Sequence, residues 1–465
     1  MEEGKSWHPP ERQGIMKQSI MRFRSKLKRE DLREMLSRSW SISWPMTLIM
    51  FFEFVIGLTD VYIAGKVGKE VQAAYGFVIQ LYFIFIVVAN ALTVGTVSVV
   101  SRLFTSAKEN ELHRTIFSSL TAAAAIGIVF VLGGLLLTPP ILSLMNLPGE
   151  LKPLVLPFIT IYAPGLLFHY LLINSNGILR SCHQIKKSLM TMTLVCVLNI
   201  TLNFTFVFKT PLGFRGIALA TASSVFIGSL INLIWIKRLM HPAKSFAWDP
   251  VKRLFSIGWP IGVLQALWQL ASIVLFLILS ALPERRVETL AALTAGLRIE
   301  SVVYLPAFAF NMANAVVVGN FLGEKKEKEA FRGGMVTAMI GVALVMVMVI
   351  AVILNARWIA SALSPDEKVV QECVKYIYIS MISEPFMAWG VILGGGLSGA
   401  GDTKSVMLRV ALSLWLVRIP LSYLFVVVLG LGASWVWWSM NFSQFLQAFL
   451  ITKRYLDGTW LQPTH

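Results

Sequence analysis

The sequence predicts an all-α, polytopic membrane protein in which twelve transmembrane helices form two parallel six-helix repeats. Of its 465 residues, 56% are hydrophobic and only 14% are charged, whereas soluble domains carry about 25% charged residues. Long apolar runs recur along the whole chain, and short motifs of the first half return in the second half. A soluble protein of this size could not hide so much apolar surface.

Each apolar run is close to the ~20 residues that a helix needs to cross a bilayer. Unbroken runs predict helices and not a barrel, because barrel strands alternate polar and apolar residues over short stretches. In chain order, the predicted spans are 41–64, 72–100, 115–137, 153–177, 189–208, 216–236, 254–281, 289–320, 334–355, 370–397, 406–429 and 433–452.

These spans divide the chain into two bundles with polar segments around them. The first 40 residues hold no apolar core of the kind that a cleavable signal peptide needs. Residues 15–36 are spaced as a basic amphipathic helix on an anionic membrane face, or else they belong to a solvated tail. The predicted regions are the basic cytoplasmic N-terminal segment 1–40, the first bundle 41–240, the cytoplasmic linker 241–253, the second bundle 254–456 and the cytoplasmic tail 457–465.

The distribution of basic residues predicts the orientation. With the N-terminus inside, 29 of the 41 Lys and Arg residues fall on the inner side, nine on the outer side and three within spans. Inner loops of membrane proteins are enriched in Lys and Arg. We therefore expect a multi-pass protein of the cell membrane with both termini in the cytoplasm. The net charge of +16 then reflects these loops, and we expect no nucleic-acid partner.

The second half of the chain repeats the plan of the first. Residues 43–45 (SWP) return as residues 258–260 (GWP), and residues 97–114 match residues 315–332, at an offset of about 215–219. Six spans are an even number, so both halves begin on the same side of the membrane. Transporters built from such parallel repeats bind their substrates near the midplane, between the halves.

Four acidic residues lie within predicted spans, where a charge costs at least ~2.5–3.5 kcal/mol. Glu53 and Asp60 are seven residues apart in the first span and so share one helix face. A carboxyl group in a poorly hydrated site can take up and release a proton near neutral pH. The alternative is a carboxyl held by hydrogen bonds between helices. For Glu300, two residues after an arginine, we favour such a structural role, and Glu384, which precedes a proline, has no assigned role.

Amide side chains also recur within the spans. Asn199 and Asn203 are one turn apart in the fifth span, Gln265 and Gln269 are one turn apart in the seventh, and Asn174 lies in the fourth. Amides inside membranes usually hold helices together by hydrogen bonds. The other interpretation is that they line a path for protons or a cavity for a ligand. The sequence alone leaves both interpretations open.

Catalytic and metal-binding motifs are absent from the sequence. It contains no HExxH, GxxxxGK[ST] or CxxC motif and no nucleophile elbow, and its three cysteines lie far apart. We therefore expect no enzyme activity, no metal site and no cofactor. Transport by this chain would need an ion gradient as its energy source.

Several stretches resemble the multidrug and toxic compound extrusion (MATE) transporters. Residues 59–65 (TDVYIAG) follow Trp-Pro as the family's first-span signature does, and residues 199–203 (NITLN) resemble its Asn-x-x-x-Asp pattern in span five. Residues 296–307 (GLRIESVVYLPA) look like the eighth span of the family's DNA-damage-inducible branch. Residues 319–323 (GNFLG) and 399–403 (GAGDT) match two further signatures. The resemblance covers about residues 41–455.

The resemblance implies two six-helix bundles in a V that opens alternately to each side of the membrane. It also implies cation-coupled export of amphiphilic, often cationic, small molecules by a single chain, which we expect to be a monomer in the bilayer. The family's first-span acid corresponds to Asp60 and its span-five amide to Asn199, while Glu53 falls where relatives often have a polar residue. The family's second acid of span five is Asn203 here, which cannot titrate.

This departure removes one member of a two-carboxylate proton site in the first half, with Glu53 as a possible replacement for the missing acid. Gln265 and Gln269 occupy the region in which sodium-coupled relatives carry a span-seven acid, and the loss of that acid favours protons over sodium as the coupling ion. We predict coupling through Asp60, Glu53, Asn199 and Asn203. The candidates for the substrate cavity are Asn174, Gln265, Gln269, Glu300 and Glu384.

Two other functions remain as alternatives. A flippase of lipid-linked saccharides from a related superfamily would need a cationic cavity for pyrophosphate, yet the spans hold only Arg298, Lys375 and Arg418. A membrane enzyme or receptor that transports nothing is the second alternative. Its usual motifs are not found in this sequence.

Overall fold

The structure is a computed structural model that describes residues 29–106, 108–144, 151–239, 245–282 and 286–461. These residues are helical almost throughout, as the fold class predicts. Residues 15–28, most of the predicted amphipathic segment, lie outside the described part of the chain.

The first half of the chain forms six long helices. Their bounds are α1 Arg29–Val67, α2 Lys69–Thr105, α3 Glu109–Leu144, α4 Lys152–Ser181, α5 Ile185–Phe208 and α6 Arg215–Lys237. Each helix contains one of the first six predicted spans.

The second half repeats this arrangement with more interruptions. Its first helices are α7 Trp248–Ser280, α8 Arg286–Gly323, α9 Glu327–Leu354 and the short α10 Ala356–Leu363. The tenth span consists of α11 Glu367–Ser380 and α12 Glu384–Gly399, which meet at an angle of 54°. The eleventh span joins α13 Thr403–Ser413, a π-helical turn Leu414–Arg418, α14 Ile419–Tyr423 and a second π-helical turn Leu424–Val428, and the twelfth is α15 Ser434–Asp457.

Length and hydropathy identify most of these helices as membrane spans. Among the described residues, ten helices qualify, and the bent pair α11 and α12 makes eleven. Helix α15 has 24 residues, enough for about 36 Å, but its buried face is polar and includes Asn441, Gln444 and Gln447. That face packs inside the second half, so α15 completes the twelve predicted helices despite its lower hydropathy.

Several helices begin earlier than the apolar runs predict, and two of them begin inside segments that were predicted to lie outside the bundles. Helix α1 begins at Arg29, before the predicted span at 41, and α7 begins at Trp248, inside the predicted linker 241–253. Backbone hydrogen bonding can continue beyond the apolar residues, so a hydropathy boundary does not mark a helix end.

Glycines show that the two halves are packed in the same way. A side chain at Gly177 would meet Thr93, which brings α4 close to α2. A side chain at Gly395 would collide with the backbone of Asn311, which brings α12 close to α8. Both pairs are related by the same shift of 218 positions. The sequence repeat is therefore also a repeat of the helix contacts.

The two halves contact each other through their first helices. Helix α1 packs against α8 and α9, and α7 packs against α2. The α2–α7 contact is close because Gly95 faces the backbone of Leu254 and Gly258 faces that of Ala91. The first helix of each half therefore packs against helices of the other half.

Polar contacts join the halves at one end, which we call the terminal face because the N-terminal end of α1 and the C-terminal end of α15 lie there. Arg38 of α1 forms an ion pair with Glu324, just after α8, at 2.6 Å. Thr105 donates a hydrogen bond to the carbonyl oxygen of Asn320 at 2.8 Å, and Ser98 donates one to that of Gly399 at 3.1 Å. The molecule is thus held together at the terminal face.

The Glu324 carboxylate of this ion pair stays charged at neutral pH. Partial burial alone would raise the pKa of Glu324, but hydrogen bonds and positive charges of Arg38 and Lys326 outweigh it and lower that pKa. Lys326 lies 2.9 Å from the same carboxylate.

Replacement of Gly395 by alanine should destabilise the second half. The new methyl group would collide with the backbone of α8, and overpacking of this kind costs about 1–3 kcal/mol. We expect a lower midpoint of thermal unfolding for the purified protein.

Gly133→Ala is the matched control, since no atom lies within 4 Å of its added methyl group. Alanine is the better helix former by about 1 kcal/mol, so this variant should be as stable as the wild type or slightly more stable. Equal midpoints for Gly395→Ala and the wild type would contradict the close packing of α8 and α12.

Candidate functional site

Asp60 lies inside the first half at the centre of a polar cluster. Its side chain is only 2% exposed. Asn203 of α5 donates a hydrogen bond to one carboxylate oxygen at 2.7 Å. Thr221 of α6 and Tyr75 of α2 donate to the other oxygen, at 2.9 and 3.3 Å. Four helices therefore meet at one carboxyl group.

The two asparagines of α5 reach this cluster because they are one helical turn apart. Asn203 also donates to the amide oxygen of Asn199 at 3.2 Å, and Asn199 donates to Thr221 at 3.0 Å. Asp60, Asn203, Asn199 and Thr221 thus form a closed ring of hydrogen bonds. All four are polar groups that apolar surroundings force to find partners within the protein.

The partners of Asp60 are neutral. Hydrogen bonds from two hydroxyls and one amide stabilise a carboxylate, but no Lys or Arg side chain forms an ion pair with it among the described residues. The amide oxygen of Asn203 is buried without a hydrogen-bond partner. Asn203 therefore carries an unused hydrogen-bond acceptor beside the amide nitrogen that already contacts Asp60. The cluster has the groups needed to hold Asp60 either with or without its proton.

Glu53 does not belong to this cluster. Seven residues before Asp60, its side chain is exposed. Arg180 of α4 attracts it electrostatically. Arg180 in turn contacts the sulfur of Met312 in the second half at 3.3 Å. Glu53 therefore borders the space between the halves, whereas Asp60 faces the interior of the first half.

A second buried carboxyl lies in the second half. Glu300 of α8 is 1% exposed. It accepts hydrogen bonds from Tyr376 at 2.6 Å and from Tyr304 at 2.9 Å. Both tyrosines tie this carboxyl to α8 and α11. These contacts fit the structural role that the sequence favours for Glu300.

Glu384 and Arg418 lie close to Glu300. Glu384 is completely buried, and neither of its carboxyl oxygens has a hydrogen-bond partner. Arg418 donates to Ser443 at 2.8 Å and lies over the ring of Trp268 at 5.3 Å, while one of its terminal nitrogens is buried without a partner. A single arginine lies near two acids in this region, so its one positive charge cannot neutralise both carboxylates.

Three of the five predicted cavity residues are buried in this structure, and their role in a substrate cavity stays a prediction. Asn174 is 1% exposed and donates to Ser119 of α3, so it holds helices together. Glu300 and Glu384 are enclosed within the second half. The sequence of a long apolar span does not reveal which face of its helix packs against other helices. In these three cases the polar face packs against them.

The two glutamines are more accessible. Gln269 of α7 is exposed, and Gln265 is half-buried with an amide oxygen that has no hydrogen-bond partner. These are the predicted cavity residues that remain available to a ligand. In the ranges that the structure describes, no group of three or more His, Cys, Asp or Glu side chains is placed to hold a metal ion.

Four hydrogen-bonding residues of the two carboxyl sites were not predicted. They are Tyr75, Thr221, Tyr304 and Tyr376. Tyrosine and threonine are common in membrane helices and carry no charge, so composition does not single them out. Tyr304 alone gives a signal, since it lies one turn after Glu300 on the same helix face.

The model of the MatE family matches residues 45–205 and 260–424. One matched stretch lies in each of the two halves that the repeat and the helix packing define. Together they cover more than half of the chain.

Curated relatives and solved structures agree with this match. The chain is 21% identical over 440 residues to the uncharacterized transporter YisQ of Bacillus subtilis, covering 91% of this chain and 94% of that protein. It is 21% identical over 451 residues to the probable multidrug resistance protein NorM of Thermotoga maritima, covering 94% and 96%. The fold superimposes on the bent form of the Vibrio cholerae MATE transporter VcmN with a TM-score of 0.85, at 18% identity, covering 93% of this chain and 100% of the other.

Loss of the Asn203 amide should destabilise the first half. Asn203→Leu would remove one hydrogen bond to Asp60 and one to Asn199, leaving buried polar groups without a partner. Such a loss costs about 1–3 kcal/mol. We expect a clear drop in the midpoint of thermal unfolding.

Thr201→Val on the exposed face of the same helix is the control, because Thr201 donates only to the backbone of its own helix. Its unfolding midpoint should stay close to that of the wild type. The account of the Asp60 cluster fails if both variants unfold at the same temperature.

Proposed function

The chain belongs to the MatE family, the multidrug and toxic compound extrusion transporters, and from that premise we propose that it is a proton-coupled antiporter that exports amphiphilic or cationic small molecules by alternating access. It is a multi-pass membrane transporter and not an enzyme. The similarity to the probable multidrug resistance protein NorM of Thermotoga maritima supports the proposed substrate class. The assignment to the DNA-damage-inducible branch stays a prediction.

The observation that carries the proton coupling is the environment of Asp60. This carboxyl is 2% exposed and contacts only neutral donors from three other helices. Burial without a cation makes the charged form costly, while three hydrogen bonds reduce that cost. A group balanced in this way can change its protonation state with a modest change in its surroundings.

Asn203 provides a way for the helices to respond to that change. With Asp60 charged, the amide nitrogen of Asn203 donates to it. With Asp60 protonated, its hydroxyl can donate to the amide oxygen of Asn203 after the amide turns over, and that oxygen is otherwise unpartnered. An amide can donate and accept, so it fits both states, although it cannot itself titrate.

Such a rearrangement would alter the contacts among α1, α2, α5 and α6. In our proposal, protonation of Asp60 changes the relative stability of the two access states by this route. A ligand or proton can shift a conformational equilibrium only by as much as it binds one state better than the other. Because four helices meet at Asp60, the proton can bind one access state more tightly than the other.

The direction of opening follows from the contacts between the halves. Those described here include the ion pair Arg38–Glu324 and the hydrogen bonds of Ser98 and Thr105, all at the terminal face. The arrangement is consistent with a state that is closed at the terminal face and open at the opposite face. The excess of Lys and Arg on the terminal side favours a cytoplasmic location for it and for both chain ends.

The substrate would bind between the halves, where Glu53 and Gln269 are exposed. A carboxylate at this position favours a cationic substrate, and the amide can orient polar groups. One chain supplies both halves, so we propose that it acts as a monomer and needs no cofactor besides the ion gradient.

Sodium coupling has one specific observation in its favour. The carboxyl oxygens of Glu384 are buried without hydrogen-bond partners. Buried polar atoms of this kind require a proton, a water molecule or an ion. Arg418 in the same region supplies a positive charge that disfavours a second cation. We therefore prefer a protonated Glu384 to a sodium ion at this position.

The flippase alternative is less well supported. A pyrophosphate would require several cations in the cavity, and Arg418 is buried in the second half against Ser443 and Trp268. Arg180 is close to Glu53, whose negative charge offsets it.

Asp60→Asn should abolish export driven by a pH gradient while the protein stays folded, because an amide cannot take up the coupling proton. Glu53→Gln should lower the rate several-fold without abolishing it, since Glu53 lies outside the Asp60 cluster. The measurement is efflux of a cationic dye from liposomes that contain the purified protein, with unfolding midpoints recorded for each variant.

Glu109→Gln, at an exposed position near the terminal face, is the charge-matched control and should export at the wild-type rate. Wild-type rates for both Asp60→Asn and Glu53→Gln would refute the proton-site proposal.

A sodium gradient alone should not drive export, since amides replace two acids that the resemblance places in relatives. Asn203 stands at the family's second acid of span five, and Gln265 and Gln269 occupy the region of the span-seven acid of sodium-coupled relatives. The test uses the same liposomes with the pH clamped and sodium on one side only. Robust efflux of the dye under these conditions would contradict proton coupling. Loss of that efflux in Glu384→Gln would then place the sodium site in the second half.

A further inference from the structure

A cavity of about 370 Å³ opens at the terminal face, away from both carboxyl sites. It lies between the end of α2, the first turns of α7 and the loop that follows α12. Its lining consists of Arg102, Lys252, Arg253, Ser256, Ile257, Ala400 and Gly401. The volume is in the range of about 300–1,000 Å³ that small-molecule sites occupy.

The lining carries three positive charges and no acid. One terminal nitrogen of Arg102 donates to the carbonyl oxygen of Ala400, but its Nε atom is buried without a partner. Lys252 and Arg253 are exposed and form no ion pair in the part of the chain that the structure describes. Arg253 and Arg102 repel each other electrostatically. An anion in the cavity would relieve this repulsion.

The acid nearest in sequence to the loop is already engaged. Asp402 follows Gly401 directly, and its carboxylate accepts a hydrogen bond from Arg454 at 2.6 Å. The cavity therefore keeps its positive charge although an aspartate lies beside it in the chain.

Exposed aromatic side chains lie on α7 beside the cavity residue Lys252. Trp248, Phe255 and Trp259 are 66%, 39% and 44% exposed. With Lys252 they occupy positions i, i+4, i+7 and i+11, which form one stripe along the helix. Exposed aromatic and basic residues at a helix end are typical of the boundary between lipid headgroups and acyl chains. The cavity thus opens where a headgroup can reach it.

We propose that this cavity binds the phosphate group of an anionic membrane lipid. Arg102 and Arg253 offer guanidinium groups that pair with phosphate oxygens, Lys252 adds a point charge, and Ser256 adds a hydroxyl donor. Gly401 has a φ of +87°, a conformation that glycine adopts without steric cost, and its lack of a side chain leaves the backbone of the loop uncovered. Basic pockets between membrane helices bind lipid headgroups in this manner.

The bound lipid stabilises the contact between the halves. Arg102 belongs to the first half, whereas Lys252, Arg253 and the loop at Ala400 belong to the second. A phosphate that contacts both sides removes the repulsion across the seam and holds Arg102 next to the carbonyl oxygen of Ala400. Anionic lipid therefore favours the state that is closed at the terminal face. This inference is independent of which ion drives transport.

The test measures binding and unfolding of the full-length protein with three added probes: phosphatidylglycerol, phosphatidylcholine and inorganic phosphate. The variant is Lys252→Gln/Arg253→Gln, in which both changed side chains are exposed, so the fold should be kept. The matched control, Lys237→Gln/Lys328→Gln, removes two exposed charges that do not line the cavity. Each cation that faces the bound phosphate adds about fivefold to the affinity for the lipid in this cavity.

We expect phosphatidylglycerol to raise the unfolding midpoint of the wild type and of the control, and phosphatidylcholine to leave it unchanged. The cavity variant should bind phosphatidylglycerol about 25-fold more weakly and lose the rise in midpoint. Equal loss in the control, or none in the cavity variant, would overturn the site. An equal rise with millimolar inorganic phosphate would overturn the lipid as occupant and leave a free anion in its place.

Discussion

The structure depends above all on the cost of a carboxyl group inside an apolar bundle. Asp60 is buried where water cannot solvate it, so donors from α2, α5 and α6 must turn inward to it. That requirement fixes the rotation of four helices about their axes. It also explains why Asn199 and Asn203 occupy one face of α5. A change in the proton at Asp60 therefore acts on the whole first half and not on one side chain.

The two halves share their helix packing but differ in their buried chemistry. The glycine contacts of α4 with α2 and of α12 with α8 are equivalent. In the first half, however, a carboxyl contacts neutral groups, while in the second Glu300 and Glu384 lie near Arg418. The arginine lowers the cost of a negative charge there. The first half is thus the one whose buried carboxyl contacts only neutral groups, with no second acid and no arginine as partner.

Sequence patterns predicted the spans, the parallel repeat and three members of the Asp60 cluster, because hydropathy and one-turn spacing are local properties. They did not predict Tyr75 or Thr221, whose contacts with Asp60 depend on how α2 and α6 pack. The same dependence on packing explains why Asn174 is buried although its position suggested a cavity. Charged and amide side chains in an apolar run are visible in a sequence, whereas the hydroxyl partners Tyr75 and Thr221 are visible only in three dimensions.

The most direct test of the account measures proton release by the purified transporter in weakly buffered solution when a cationic substrate is added. If Asp60 gives up its proton as substrate binds, the wild type should acidify the solution in proportion to the substrate bound. Asp60→Asn should bind substrate and release no proton. Equal proton release by the wild type and Asp60→Asn would contradict the account, because the coupling proton would then reside elsewhere.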